Sequence, residues 1–220
     1  SYLQNMVESG RTESMICAQN LNDFYIRLNA EGWDPSLPLL EKGNKTLNVV
    51  GTALFHDGKM VGNIDIYETQ TMLMLMSEGK DAWLVFSDPF DPAETVVIEV
   101  RKSRSKVKTR IVEGRPEIDI EVKIRADLVD KSLFAELLDM ETIKKYEESL
   151  AAQFSTRAEK LLEKLQNLQT DPIGFGAFLR VQNYPYWQQI GDKEWRQWLP
   201  LVQFNVNTEL NLRSYGVTTK

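Results

Sequence analysis

The sequence predicts an α+β protein: an antiparallel four-stranded sheet covered by a long amphipathic helix, preceded by a smaller α+β domain. Three observations predict this fold class. Apolar and outward-facing residues alternate in three runs between Val96 and Ile124, which is typical of strands with one buried face. Apolar residues then recur every three or four positions over residues 139–169, which predicts the long helix. Residues 202–212 alternate again and predict a fourth strand.

The first elements are predicted from local patterns. Apolar residues at helical spacing begin at Met15 and include Cys17, and Gly32 ends that helix. The proline-containing segment 33–45 predicts a loop. A loop here would separate the first helix from the strands that follow.

The next elements are a hairpin, a helix and a strand. Asp57 and Gly58 tolerate positive φ and stand between β-rich flanks, so they predict the turn of a hairpin. Residues 67–80 predict a short helix ended by Gly79, and residues 82–87 predict a buried strand.

Residues 88–94 contain two Asp-Pro steps, and each step disfavours helix and interrupts strand pairing. We therefore expect a domain boundary there. An α+β domain would cover residues 1–90, and a C-terminal α+β domain would cover residues 91–220. The second domain would hold a three-stranded meander, the long helix, short helices and the final strand.

The register of the meander follows from the alternation if its turns lie at residues 103–104 and 114–115. Val107 then faces Val122, so that inward residues meet inward residues, as a sheet with one buried face requires.

The basic run 101–110 has six Lys or Arg in ten positions, which suggests contact with nucleic acid or anionic lipid. The predicted register offers a different role. It sets Arg110 opposite Asp119 and Lys108 opposite Glu121, and opposite charges across a strand pair stabilise a sheet. Three basic residues at the expected hairpin tip stay unpaired in this register: Arg101, Lys102 and Arg104.

The overall charge and the cysteine and histidine counts exclude several classes. A formal net charge of -6 argues against general nucleic-acid binding, because the average field repels a polyanion. One cysteine allows no internal disulfide, and one histidine allows no multi-histidine metal site. The start of the sequence resembles neither a signal peptide nor a natural chain start, so we expect a fragment that is not membrane-spanning.

Three other groups could carry chemistry, and each has a simpler structural interpretation. Cys17 and His56 could form a thiol–imidazole pair, or be a buried small residue and a turn histidine. The methionines of a "TMLMLM" segment could bind Cu(I), or fill a buried helix. The acids of the 88–94 segment could hold Ca²⁺, or belong to a linker. The residues in question are Met72, Met74 and Met76, then Asp88, Asp91 and Glu94.

The segment "DPIGFG" (171–176) resembles a phosphate-binding loop, but it follows a helix rather than a strand, and no Lys-Ser or Lys-Thr comes after it. We interpret Asp171 as an N-cap and Pro172 as the first residue of a new helix. Gly174 and Gly176 would then lie inside that helix, where glycine is unfavourable unless another element approaches closely. These four residues are therefore expected to be structural.

Aromatic residues are dense just after this segment. Trp187, Trp195 and Trp198 could stack on sugars or bases, or could build a second small core together with neighbouring tyrosines. We expect Trp187 to be structural. From the residues alone, the sequence predicts no catalytic residue, no cofactor and no metal site.

Four segments in this order resemble the C-subunit lipoproteins of spore germinant receptors, the GerAC/GerBC/GerKC family. They are "GTALFHDGKMVGNIDIYET" (51–69), "GRPEIDIEVKI" (114–124), "DPIGFG" (171–176) and "YPYW" (184–187). The long amphipathic helix lies between the second and third segments. The resemblance covers the chain from about Cys17 to Gly216.

The resemblance implies a non-enzymatic subunit that assembles with integral-membrane A and B subunits and triggers germination in response to nutrients. It also implies an N-terminal lipidated cysteine at the outer surface of the spore inner membrane. Cys17 lacks the preceding apolar segment that such a cysteine needs, so we interpret this chain as the membrane-distal, C-terminal part. Two alternatives remain: an extracellular carbohydrate-binding or other surface interaction module, and a thiol enzyme built on Cys17 and His56.

Overall fold

The computed structural model describes residues 21–43, 47–129 and 139–213. Cys17 and the start of the first predicted helix lie outside the described residues. Within them, the first element is helix α1, Leu21–Leu28. No helix in these three ranges combines the length and the apolar character that a membrane crossing needs.

The first sheet is antiparallel with strand order β1-β2-β3, and its strands are Ser36–Lys42, Leu47–His56 and Lys59–Asp65. The hairpin prediction is confirmed, because Asp57 and Gly58 form the turn with φ of 47° and 72°. The prediction of a loop over residues 33–45 is wrong, since β1 lies within it. Pro38 pairs with Thr52 on this edge strand, where a missing N–H is tolerated.

Helix α2 (Ile66–Leu75) and strand β4 (Trp83–Ser87) follow, as the sequence predicts. Asp65 accepts the Glu68 N–H while Glu68 accepts the Asp65 N–H, so a capping box starts the helix. Met72 and Met74 are fully buried, which matches the interpretation of this segment as a buried helix.

The second sheet has four strands in the order β4-β5-β6-β7. The new strands are β5 (Thr95–Val112), β6 (Arg115–Leu128) and β7 (Gln203–Arg213). The predicted fold class is confirmed, with one correction to the strand direction: β7 runs parallel to β6. The reason is the connection between them, since the chain returns over one face through several helices and enters β7 in the direction of β6.

The predicted meander is wrong in one respect, because residues 95–112 form one strand with a bulge between Val100 and Lys102 rather than a turn at 103–104. The Ser103 hydroxyl instead donates to the Gly79 carbonyl oxygen at 2.6 Å. β4 supplies the third antiparallel strand. The β5–β6 register is also shifted by two residues, so Val107 faces Ile120. A shift of two preserves the buried face, because side chains alternate with period two.

The charged side chains of this sheet form the predicted pairs in a diagonal arrangement. The Arg110 guanidinium lies 2.9 Å from Asp119, and Lys108 Nζ lies 3.0 Å from Glu121 Oε1, although neither pair is directly opposite. The prediction that Arg101 stays unpaired is wrong. It forms an ion pair with a β6 carboxylate described below, because β5 has no hairpin tip at that point.

Helix α3 (Met140–Asn167) packs across β7 and the rest of the second sheet. Helices α4 (Phe175–Gln182) and α5 (Tyr184–Trp198) follow, and a short 3₁₀ helix (Leu199–Leu201) leads into β7. The buried core continues from the first sheet into the second, and β4 pairs with β5 across the expected boundary at 88–94. The division into domains 1–90 and 91–220 stays a prediction.

Candidate functional site

The loop that precedes helix α4 is organised by one buried carboxylate. Asp171 is 1% exposed, and its two oxygens accept the backbone N–H groups of Gly174 (2.8 Å), Phe175 (2.9 Å) and Gly176 (2.8 Å). These are donors that a helix start leaves without intrahelical partners. The position where a phosphate would sit is therefore filled by the protein's own anion.

The predicted start of this helix is wrong by three residues. The helix begins at Phe175, and Gly174 is the N-cap, with a left-handed φ of 86°. Asp171 satisfies the N–H groups from outside the helix, because the chain turns at Gly174 before the first helical residue. Pro172 lies in that turn, and its carbonyl oxygen accepts Trp33 Nε1–H at 2.9 Å.

Both glycines lie where another element approaches closely. A Cβ built on Gly176 would lie 2.4 Å from Trp195 Nε1 and 2.6 Å from the Cα of Gly32, and one on Gly174 would lie 3.0 Å from the Trp33 ring. Such distances leave no room for a side chain at Gly176. They support a packing role for both glycines.

Asp34 joins the N-terminal segment to this loop. Its N–H donates to the Asp171 carbonyl oxygen at 2.9 Å, and its Oδ2 accepts the Asp171 N–H at 2.7 Å. Arg196 of α5 contacts the same Oδ2 at 2.5 Å, and His56 Nδ1 lies 3.3 Å from Oδ1. Asp34 and Arg196 were not predicted as site residues, because the Asp34-Pro35 step indicated only a loop.

Trp187 completes the junction on the α5 side. The residue is 3% exposed, its ring centroid lies 6.4 Å from that of Trp195, and its Nε1–H points to Glu31 Oε2 at 3.3 Å. Nearby, the Gly32 N–H donates to Asp192 Oδ1 at 2.6 Å. We call the residues Gly32, Asp34, Asp171, Gly176 and Arg196 the junction cluster.

Electrostatics at the junction cluster make Asp171 easier to protonate than an ordinary aspartate. Burial raises the pKa of the Asp171 carboxyl group to about 6, the three N–H donors oppose that rise, and the nearby Asp34 carboxylate adds to it. A carboxyl group with a raised pKa can serve as a general acid. Here its oxygens face backbone donors, so the geometry supports a clasp between segments rather than proton transfer to a ligand.

The remaining candidate residues are engaged locally. His56 lies between Asp34 and Asp57, and Cys17, its proposed partner, is outside the described residues. Asp88 accepts the N–H groups of Phe90 and Asp91 and the hydroxyl of Tyr146. Across the described ranges, no group of three or more His, Cys, Asp or Glu could hold a metal ion.

The tryptophans offer little surface for a sugar. Trp187 and Trp195 are buried, and Trp198 is partly buried against the same core. They extend the main core instead of forming a second one. A carbohydrate site built on these three rings therefore lacks accessible stacking faces.

Exposed apolar side chains lie on helix α4 and at the start of helix α5. The side chains of Gln182 and Asn183 hydrogen-bond to Val107 and Thr109 of β5, which fixes this helix end over the sheet. Three exposed apolar residues lie on α4 or at the first residue of α5, and we call them the end patch: Phe178 (39%), Val181 (78%) and Tyr184 (55%). A cluster of exposed apolar side chains is typical of an interaction site.

Comparison with known proteins identifies similar sequences over most of the chain. The family model described as "Spore germination B3/GerAC like, C-terminal" matches residues 50–216. Spore germination protein GerQC of Bacillus cereus is 24% identical over 218 residues, which cover 99% of this chain and 60% of that protein. Spore germination protein B3 of Bacillus subtilis (strain 168) is 23% identical over 182 residues, which cover 82% and 48%.

A solved structure supports the same fold. The crystal structure of the GerBC protein matches with a TM-score of 0.75 over 86% of this chain and 59% of that one. At 19% sequence identity, the likeness concerns the fold. The chain thus spans 60% or less of the length of these relatives.

Proposed function

The chain belongs to the spore germination B3/GerAC-like family, and from this premise we propose that it is part of a non-catalytic subunit of a spore germinant receptor. The observation that carries the proposal is the family match over residues 50–216, supported by relatives named as spore germination proteins. The resemblance drawn from four sequence segments pointed to the same family, and that recognition is confirmed.

The subunit acts through protein–protein contacts with integral-membrane A and B subunits. The end patch supports this mode of action. Its residues Phe178 and Val181 are exposed on helix α4, whereas Phe175 and Leu179 of the same helix are buried. A partner that covers apolar surface of this kind removes it from water, and this burial stabilises the complex.

The intact protein resides at the outer surface of the spore inner membrane, held by the lipidated N-terminal cysteine that the resemblance implies. A single lipid chain gives only marginal membrane binding, so contacts with the partner subunits strengthen its retention. The proposed subunit has no catalytic activity. The junction cluster supports this part of the proposal, because its buried carboxylates face hydrogen-bond donors of the protein itself.

A germination assay tests the proposal. Spores that lack the gene should lose the response to at least one nutrient germinant, measured as the fall in optical density, and the intact gene should restore it. Affinity purification of the intact protein from spore membranes should recover the A and B subunits. Normal germination toward every nutrient tested, together with no recovered subunit, would contradict the receptor role.

A further inference from the structure

A cleft lies between helix α2, strand β4 and helix α3. It has a volume of about 440 Å³, within the range of small-molecule sites. Its uncharged walls are formed by Tyr67, Thr71, Val85 and Leu161. Neither the junction cluster nor the end patch contributes to it.

Arg157 gives this cleft a fixed positive charge. Its guanidinium lies 4.3 Å above the centre of the Phe86 ring, and its Nη2–H donates to the Val85 carbonyl oxygen. Both contacts hold the group in place, and they account for one of its five N–H donors. Among the described residues, no carboxylate forms an ion pair with Arg157, and burial lowers the pKa of the guanidinium.

The one acid in the cleft is already neutralised. Both oxygens of Glu68 accept hydrogen bonds from Lys164 Nζ, at 2.9 Å and 2.7 Å, and one of them also accepts the Asp65 N–H. Lys160 lines the cleft as well and forms no ion pair with a described residue. Two cations, Arg157 and Lys160, thus face the cleft without a counter-ion from the described chain.

We propose that this cleft binds a small organic carboxylate with an apolar body. The carboxylate pairs with Arg157, whose planar fork suits two parallel N–H···O bonds, and Lys160 adds a second cation. The apolar body packs against Val85, Leu161 and the Tyr67 ring. Binding a counter-ion also offsets the cost of keeping the Arg157 charge partly buried. This proposal does not depend on a role in germination.

The test is a ligand series followed by the backbone amide shifts of the ¹⁵N-labelled 220-residue chain. Acetate, hexanoate and benzoate are compared with benzamide, a neutral match for benzoate. Affinity should rise from acetate to benzoate, and benzamide should bind about tenfold or more weakly than benzoate, as the loss of charge-assisted hydrogen bonds implies. The largest shifts should lie at Tyr67, Val85 and Leu161.

Variants assign the binding to the two cations. Arg157→Gln should lower the affinity for benzoate about tenfold or more, and Lys160→Gln should lower it several-fold. Lys144→Gln, elsewhere on the same helix, should leave this affinity unchanged. If Arg157→Gln does not fold, the Lys160→Gln variant and the comparison of benzoate with benzamide test the proposal instead. Three outcomes would overturn the proposal: equal affinities for benzoate and benzamide, amide shifts that lie outside the cleft, or no binding of any carboxylate at about 10 mM. That concentration is well above the dissociation constant expected of a preformed site.

Discussion

Asp34 and Asp171 hold each other by reciprocal hydrogen bonds: the Asp34 N–H donates to the Asp171 carbonyl oxygen, and the Asp34 carboxylate accepts the Asp171 N–H. Both residues are at least 96% buried, so the carboxylates depend on these donors and on Arg196. The pair joins the N-terminal segment to the loop before helix α4. Stability of the whole chain is therefore sensitive to changes at either residue.

The raised pKa of Asp171 predicts a specific dependence of stability on pH. The folded-state value is about 6 and the ordinary value is 3.8, so the folded chain binds the proton more tightly than the unfolded chain. This contribution to stability is present below about pH 4 and is lost as the pH rises through about 6. Relative to Asp171→Asn, which cannot titrate, the wild type should lose up to about 3 kcal/mol of unfolding free energy between pH 4 and 7.5.

Urea unfolding of both proteins across that pH range measures the effect. The pKa values of Asp88 and Asp127 lie below their ordinary range, because hydrogen bonds outweigh the rise that burial causes. Asp88 and Asp127 therefore make stability depend on pH in the opposite direction. Their contributions are the same in wild type and variant, so they cancel from the difference. A difference that stays constant from pH 4 to 7.5 would show that Asp171 titrates as an ordinary carboxyl group.

Gly176 should not tolerate even a methyl group. Its Cβ would collide with the Gly32 backbone and the Trp195 ring, so Gly176→Ala should lower the unfolding free energy by about 1–3 kcal/mol, as overpacking does. Gly62→Ala is the matched control, because the closest atoms there belong to the end of the Leu168 side chain, which can move. Thermal melting compares the two. Equal losses in both variants would remove the close approach as the reason for glycine at 176.

The sequence predicted those features whose signal is local. Alternation identified β5, β6 and β7, helical spacing identified α3, and Asp57-Gly58 identified a turn. The direction of β7 and the continuity of β5 were not predictable in this way, because both depend on long-range pairing. Ser103 shows the difficulty: it is a common turn residue in sequence, yet its hydroxyl bonds to Gly79 from within a strand.

The junction cluster shows the same division. Asp171 and the two glycines could be singled out, because their residue types are unusual at a helix start. Asp34 and Arg196 could not, since nothing in the sequence relates positions 162 residues apart. The ion pairs of the sheet were predicted correctly from a wrong register, because long side chains also reach diagonal neighbours on the adjacent strand.

Asp127 should be the most important charge of the second sheet. The residue is 4% exposed, and it bridges Arg101 of β5 and Arg213 of β7, at 2.6 Å and 2.8 Å. Asp127→Ala should cost about 1–3 kcal/mol, because it removes charge-assisted hydrogen bonds and leaves two cations together. Lys123→Ala, which removes the exposed pair with Glu209 between β6 and β7, is the control and should change stability little. Chemical denaturation measures the loss of unfolding free energy in each variant. Equal losses would show that the burial of Asp127 does not increase its contribution to stability.

Val181 is the residue of the end patch on which the proposed partner contact depends most. It is 78% exposed, so Val181→Glu should leave the melting temperature near that of the wild type while it places a charge where a partner would bury an apolar side chain. Receptor subunits recovered with the intact protein should fall about tenfold or more, the effect of a buried unpaired charge at an interface.

Met60→Glu is the control for that experiment, since Met60 is 50% exposed on strand β3 of the first sheet, whereas the patch lies on α4 and the start of α5. Both variants add one negative charge, so a general electrostatic effect on assembly would appear in both. Loss with Val181→Glu alone assigns the contact to the end patch. Equal loss, or full assembly with Val181→Glu, would place the partner contact on another face of the molecule.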